Sequence, residues 1–163
     1  MNLEDMHIAD DLHNAKLLNH IADDRIAVRD LLDLYIGPVI GYGVSRTVFH
    51  DFLDSNCVLK YDHDDQHANV REWAIWEELR DAPRYAKWLA PCMRISPCGK
   101  WLIQKMTTPV DKWPKKIPKF INADTKRGNF GLLDGQLVCH DYAYLSVMRH
   151  NENLLKLTDV KWW

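Results

Sequence analysis

At Gly37-Pro38 the texture of the chain changes, and the change limits what it can fold into. Before it, Leu3, Met6, Ile8, Leu12, Leu17, Leu18 and Ile21 recur at nearly helical spacing, and Ile26, Val28, Leu31, Leu32 and Leu34 continue the pattern over 24–36. Two amphipathic helices are predicted. The second starts at an Asp23 or Asp24 cap and stops at Gly37-Pro38, because glycine suits a helix C-terminus and proline cannot continue the ladder. After it come short β-type runs, Val39–Tyr42, Arg46–Phe49 and Cys57–Tyr61, split by Gly, Asp, Ser and Asn; they predict a three-stranded meander.

Val70, Trp73, Ile75, Trp76 and Leu79 then supply the apolar face of a helix expected over 68–80, with a shorter helical piece near 83–89. Strands are expected at 91–96 and 101–106 about the turn Ser96-Pro97-Cys98-Gly99. The fold class is therefore α+β with a sheet of about five strands. Pro109, Pro114 and Pro118 exclude a regular helix through 109–119. Asp134-Gly135, between Gly131–Leu133 and Gln136–Cys139, is the pair a type I′ hairpin turn prefers. The apolar residues of 143–163 can dock either a last helix or an extended tail, and Trp162-Trp163 either folds back or offers an apolar patch.

With 163 residues and 47% apolar content the chain suffices for one compact domain. A net charge of -2 favours neither nucleic acid nor an acidic membrane as partner. The charge is uneven, however: residues 1–36 hold eight Asp/Glu against three Lys/Arg, and residues 100–127 hold eight Lys/Arg against two Asp/Glu, a basic stretch suited to phosphate. Cys57, Cys92, Cys98 and Cys139 form no C-x-x-C pair, and no N-terminal apolar run resembles a signal peptide or membrane helix. A reduced, cytoplasmic protein with buried thiols is expected. The loop Asp62–His67 reads as solvated rather than as a metal site.

Holding a nucleoside triphosphate requires close backbone approach to phosphate, a cation on its oxygens, and carboxylate or amide oxygens for Mg²⁺. Candidates occur in that order. Gly41 and Gly43, in Gly41-Tyr42-Gly43-Val44-Ser45-Arg46-Thr47-Val48, lie between two strands and leave no Cβ in the way. Lys60 ends the apolar run Cys57-Val58-Leu59, a place for a charge only if an anion waits inside. Glu72 is the preferred anion, since Glu77 stands beside Glu78 on the solvated side. Further on, Asn122-Ala123-Asp124-Thr125-Lys126-Arg127-Gly128-Asn129 is followed by His140-Asp141-Tyr142-Ala143.

In these residues the chain resembles the protein-kinase superfamily. The family pattern H-R-D-x-x-x-x-N is matched at Asp124, Lys126 and Asn129, and Asp141-Tyr142-Ala143 stands where D-F-G belongs. The resemblance covers about residues 39–143 and is closest to the truncated kinase-like proteins encoded by bacteriophages. It implies an N-terminal helical extension over 1–37, an N-lobe over 38–108 with one αC-like helix, and a much reduced C-lobe over 109–163.

It also implies ATP and Mg²⁺ as cofactors. Lys60 would meet the α- and β-phosphates and pair with Glu72; Asp124 would orient or deprotonate the acceptor hydroxyl; Asn129 and Asp141 would ligate Mg²⁺; Lys126 would steady the transferring phosphoryl group. Leu102–Met106 would lead into the segment facing adenine. Asn122, Ala123, Arg46 and Ala143 depart from the pattern, and only 22 residues follow Asp141, too few for a peptide-binding lobe. Two functions are compatible: a minimal Mg-ATP phosphotransferase, or a pseudokinase-type phage protein that binds a host protein in the host cytoplasm.

Overall fold

The computed structural model describes residues 34–63, 66–145 and 151–163. The chain divides into two compact units, Met1–Gly37 and Pro38–Trp163. The two helices expected before Gly37 lie outside the described residues, except for a helical end at Leu34 and Tyr35. Gly37-Pro38 is not a boundary between helix and strand, as the sequence suggests: strand β1, Ile36–Tyr42, already contains both residues. β1 is one edge of the sheet, the place in a sheet to which proline is largely confined.

The remaining strands of the sheet are β2 (Arg46–Asp51), β3 (Cys57–Asp62), β4 (Cys92–Ile95) and β5 (Trp101–Lys105), in the order β1-β2-β3-β5-β4. The pairs β2–β3, β3–β5 and β4–β5 are antiparallel. Register fixes the two faces. Arg46 stands opposite Asp62, Val48 opposite Lys60, Lys60 opposite Leu102, and Val58 opposite Gln104, so these residues share one face. Phe49, Tyr61 and Trp101 share the other, with Trp101 centred 4.6 Å from Tyr61 and 6.2 Å from Phe49.

Helix α1, Ala68–Leu79, packs on the first face, and a single turn, α2 (Pro83–Ala86), follows it. Of the expected apolar face, Leu79 lies in the core and Trp73, Ile75 and Trp76 pack against it, but Val70 does not. Val70 is 42% exposed, whereas Asn69 and Glu72 are fully buried beside Ala68 and Leu79, because the sheet face they meet carries Arg46, Lys60 and Asp62. Asp62, read as loop, closes β3 and accepts the Asn69 N–H at 3.3 Å. The exposed Cys98 likewise departs from the expectation of four buried thiols; Cys57, Cys92 and Cys139 are buried.

The second half is mostly short elements around the core cluster of Leu79, Leu89, Leu102, Ile117, Ile121 and Tyr142. They are β6 (Lys116–Pro118), 3-10 turns at Lys119–Ile121 and Arg127–Asn129, and the hairpin β7 (Phe130–Leu133) to β8 (Gln136–Cys139). Asp134 and Gly135 both have positive φ, 51° and 78°, as the expected type I′ turn demands. The end of the chain is an extended tail: after a 3-10 turn at Glu152–Leu155, β9 (Leu157–Asp159) pairs antiparallel with β6. Trp162 folds back on Trp113 and Phe130, with centroids at 4.6 and 5.0 Å, and donates its indole N–H to Pro114 O at 2.8 Å; Trp163 is 70% exposed. Among the described residues no helix is long and apolar enough to cross a membrane.

Candidate active site

The site is built around the Glu72 carboxylate, brought to the sheet by one face of α1. Its Oε1 accepts from Lys60 Nζ at 2.6 Å and Gln104 Nε2 at 3.0 Å. Oε2 accepts from both terminal nitrogens of Arg46 at 3.1 Å and from the Tyr142 N–H at 3.1 Å. Three strands and the segment after β8 thus meet on one side chain. Burial alone would push the Glu72 carboxyl up, but Lys60 and Arg46 beside it outweigh burial and hold it below its ordinary value.

Lys60 also donates to His140 O, and Arg46 donates to Asp141 Oδ1. Burial opposes the charge on Arg46, yet Glu72 and Asp141 together raise its pKa further. Next to these groups, Asn129 Nδ2 donates to Asp124 Oδ2 at 2.9 Å, and Asn129 O accepts the His140 N–H at 2.8 Å. The His140 ring is bound on both nitrogens: Nε2 to Gly128 O and Nδ1 to Thr107 Oγ1, each at 2.8 Å. The carbonyl can only accept, so Nε2 carries the proton and Nδ1 accepts from the threonine. Burial, with Lys60 nearby, lowers the His140 pKa, in keeping with a neutral ring.

Of the residues singled out in the sequence, Lys60, Glu72, Asn129, Asp124 and Asp141 therefore belong to one connected cluster or its immediate neighbour. Lys126 joins only through its backbone, its N–H donating to Asp124 Oδ1 at 3.2 Å, and its side chain is exposed. Gly41 precedes and Gly43 lies within the exposed tip Tyr42 to Val44 of the β1–β2 turn, closed by Gly43 N to Arg46 O at 2.7 Å. Neither glycine has positive φ, and an added Cβ would find its nearest atoms at 3.9 and 3.4 Å. The fold does not itself need glycine at either place.

Sequence reasoning missed two members. Arg46 counted only as a departure from a glycine pattern, yet it is buried at 6% exposure. The signal was present: a charge two residues before Val48 falls on the inward face, the same argument that singled out Lys60. Gln104 gave no comparable signal, since a polar residue in a short strand is ordinary; His140 stands directly before Asp141 in the sequence, which makes it a local partner of the site.

Among the described residues no group of three or more His, Cys, Asp or Glu could hold a metal on its own. The donor set nevertheless fits Mg²⁺ bound with a nucleotide, which takes one or two protein oxygens and completes its shell with phosphate and water. Asp141 is the part of the cluster open to solvent, its side chain 46% exposed against 0% for Glu72. With Asn129 Nδ2 engaged by Asp124, the amide oxygen is the atom left for a cation.

No protein-family model matches the chain, and no curated protein matches it.

Proposed function

We propose that the protein is a minimal kinase-like phosphotransferase that uses Mg-ATP, with an N-lobe formed by β1–β5 and α1 and a reduced C-lobe formed by the segments after Thr108. The observation that carries this reading is the buried Lys60–Glu72 pair at 2.6 Å, lying against the backbone of His140-Asp141-Tyr142. A lysine fixed in this way holds its ammonium against His140 O, in the segment whose His140 and Asp141 N–H groups bind Asn129 O. Holding phosphate needs such positioning more than covalent chemistry.

On this reading, Lys60 binds phosphate oxygens, and Asp141 with the Asn129 amide oxygen holds Mg²⁺. The metal supplies charge neutralisation on the phosphates. Asp124, exposed and oriented by the Asn129 amide and the Lys126 N–H, accepts the proton of the acceptor hydroxyl. The turn Gly41–Gly43 covers the phosphates from the sheet side, and Lys126 steadies the group in transit.

A second reading, a non-catalytic scaffold that binds a host protein, draws on the tail. Thr125 Oγ1 donates to Lys161 O at 2.5 Å, the Arg127 N–H donates to Trp163 O at 2.9 Å, and Asn122 Nδ2 donates to Thr158 Oγ1 at 2.8 Å. The loop bearing Asp124 is thus already paired along one side, and an acceptor must approach from elsewhere.

Mg-ATP is expected to raise the melting temperature, and γ-phosphate to appear on an acceptor. Asp124→Ala abolishes transfer and spares binding, while Asp141→Ala weakens both. Absence of Mg-dependent binding at millimolar ATP sinks the enzyme and leaves the scaffold.

A further inference from the structure

We propose, resting on the nucleotide-site reading above, that Arg46 is the gate to the metal position: its guanidinium and a divalent cation compete for the Asp141 carboxylate. Arg46 Nη2 bridges Glu72 Oε2, at 3.1 Å, and Asp141 Oδ1. Nη1 reaches Glu72 Oε2 at 3.1 Å and Asn69 Oδ1 at 3.4 Å. The two anions that it joins are unlike. Glu72 is closed to water and keeps Lys60, Gln104 and the Tyr142 N–H as donors, whereas the Asp141 side chain is 46% exposed.

Exchange is therefore open on the Asp141 side alone. A guanidinium on Oδ1 neutralises the carboxylate that a hard cation would use and repels that cation at close range. When the cation takes Asp141, Arg46 is not stranded, because Glu72 and Asn69 still hold it. A buried arginine that loses every partner would be costly, but one that keeps its buried glutamate can release the outer one. The gate sets the divalent concentration at which the site fills. It is a property of this chain's own Arg46, which stands where the kinase pattern has a glycine with no side chain to compete.

The test is Mn²⁺ binding to the full chain without nucleotide, read by the loss of the free-ion electron paramagnetic resonance signal. Arg46→Gln keeps a hydrogen-bonding group toward Glu72 and removes the cation, and it is expected to bind one Mn²⁺ about tenfold more tightly than the wild type, the order of a lost charge-assisted bond. Asp141→Asn in the Arg46→Gln background abolishes that gain. Arg46→Lys, which retains a positive charge beside Glu72, gives a smaller gain of the same sign and serves if Arg46→Gln does not fold. Unchanged or weaker Mn²⁺ binding in a folded Arg46 variant overturns the proposal, as does a gain that survives Asp141→Asn; an arginine that is merely structural would weaken binding. Failure of the nucleotide reading is separate: it shows as a wild-type melting temperature indifferent to Mg-ATP.

Discussion

Lys60 Nζ lies 2.6 Å from Glu72 Oε1, with the two side chains 5% and 0% exposed. Removing one partner of such a pair leaves a buried charge uncompensated. Glu72→Gln deprives both Lys60 and Arg46 of their shared anion and is expected to cost about 3–5 kcal/mol, whereas Lys60→Met leaves Glu72 with Arg46 and costs about 1–3 kcal/mol. Urea unfolding of the two variants measures the order. A costlier Lys60→Met would mean that Arg46 does not share the glutamate.

The same carboxylate gives the protein an acid limit. Buried, but held below its ordinary value of 4.5 by Lys60 and Arg46, Glu72 stays ionised in the native state where the unfolded chain takes up a proton. Its contribution is complete above the unfolded value and is lost as pH falls from there through the native value. The urea midpoint of the wild type should fall more steeply than that of Glu72→Gln below about pH 4.5. Parallel curves would remove Glu72 from the account.

At Gly41 and Gly43 the fold leaves room for a methyl group, so alanine there should change the melting temperature by no more than a surface substitution does. If the turn covers phosphate, the same variants weaken nucleotide binding, measured by titration with Mg-ATP. Loss of stability with unchanged binding would assign both glycines to the hairpin.

Gly131 is the opposite case. A Cβ at this position of β7 would lie 2.3 Å from Thr107 Oγ1, 2.5 Å from Thr107 Cβ and 3.0 Å from Thr108 O. Gly131→Ala should destabilise by about 1–3 kcal/mol in urea unfolding, and Thr107→Ala should relieve it only in part, because the Thr107 Cβ remains.

The tail bonds to the Asp124 loop predict a local effect. Trp162→Ala removes the ring that rests on Trp113 and Phe130 and should speed hydrogen exchange at the Arg127 amide, which is bonded to Trp163 O. Exchange unchanged at Arg127 would show that the loop holds itself.

The strands were legible because β-branched and aromatic runs were punctuated by turn residues, and the β7–β8 hairpin because Asp134-Gly135 permits little else. The Lys60–Glu72 pair was legible for a different reason: a charge ending an apolar strand requires a buried answer. Val70 was misread because periodicity assumes that a helix buries its oiliest side, and here the sheet face opposite is charged. Arg46 went unread because it was compared with a pattern instead of being placed on its strand face. The route of the tail could not be foreseen, since it depends on pairings between β9 and β6 that are far apart in the chain and carry little alternation over so few residues.

The polar seat of α1 has a consequence for how the chain can vary. An oily helix face fits its partner at several rotations with little difference in energy, but Asn69 and Glu72 find their bonds at a single azimuth and height on the sheet. Trp73, Ile75 and Trp76 are then free to drift among apolar residues of similar volume, whereas positions 69 and 72 can change only together with strands β2, β3 and β5.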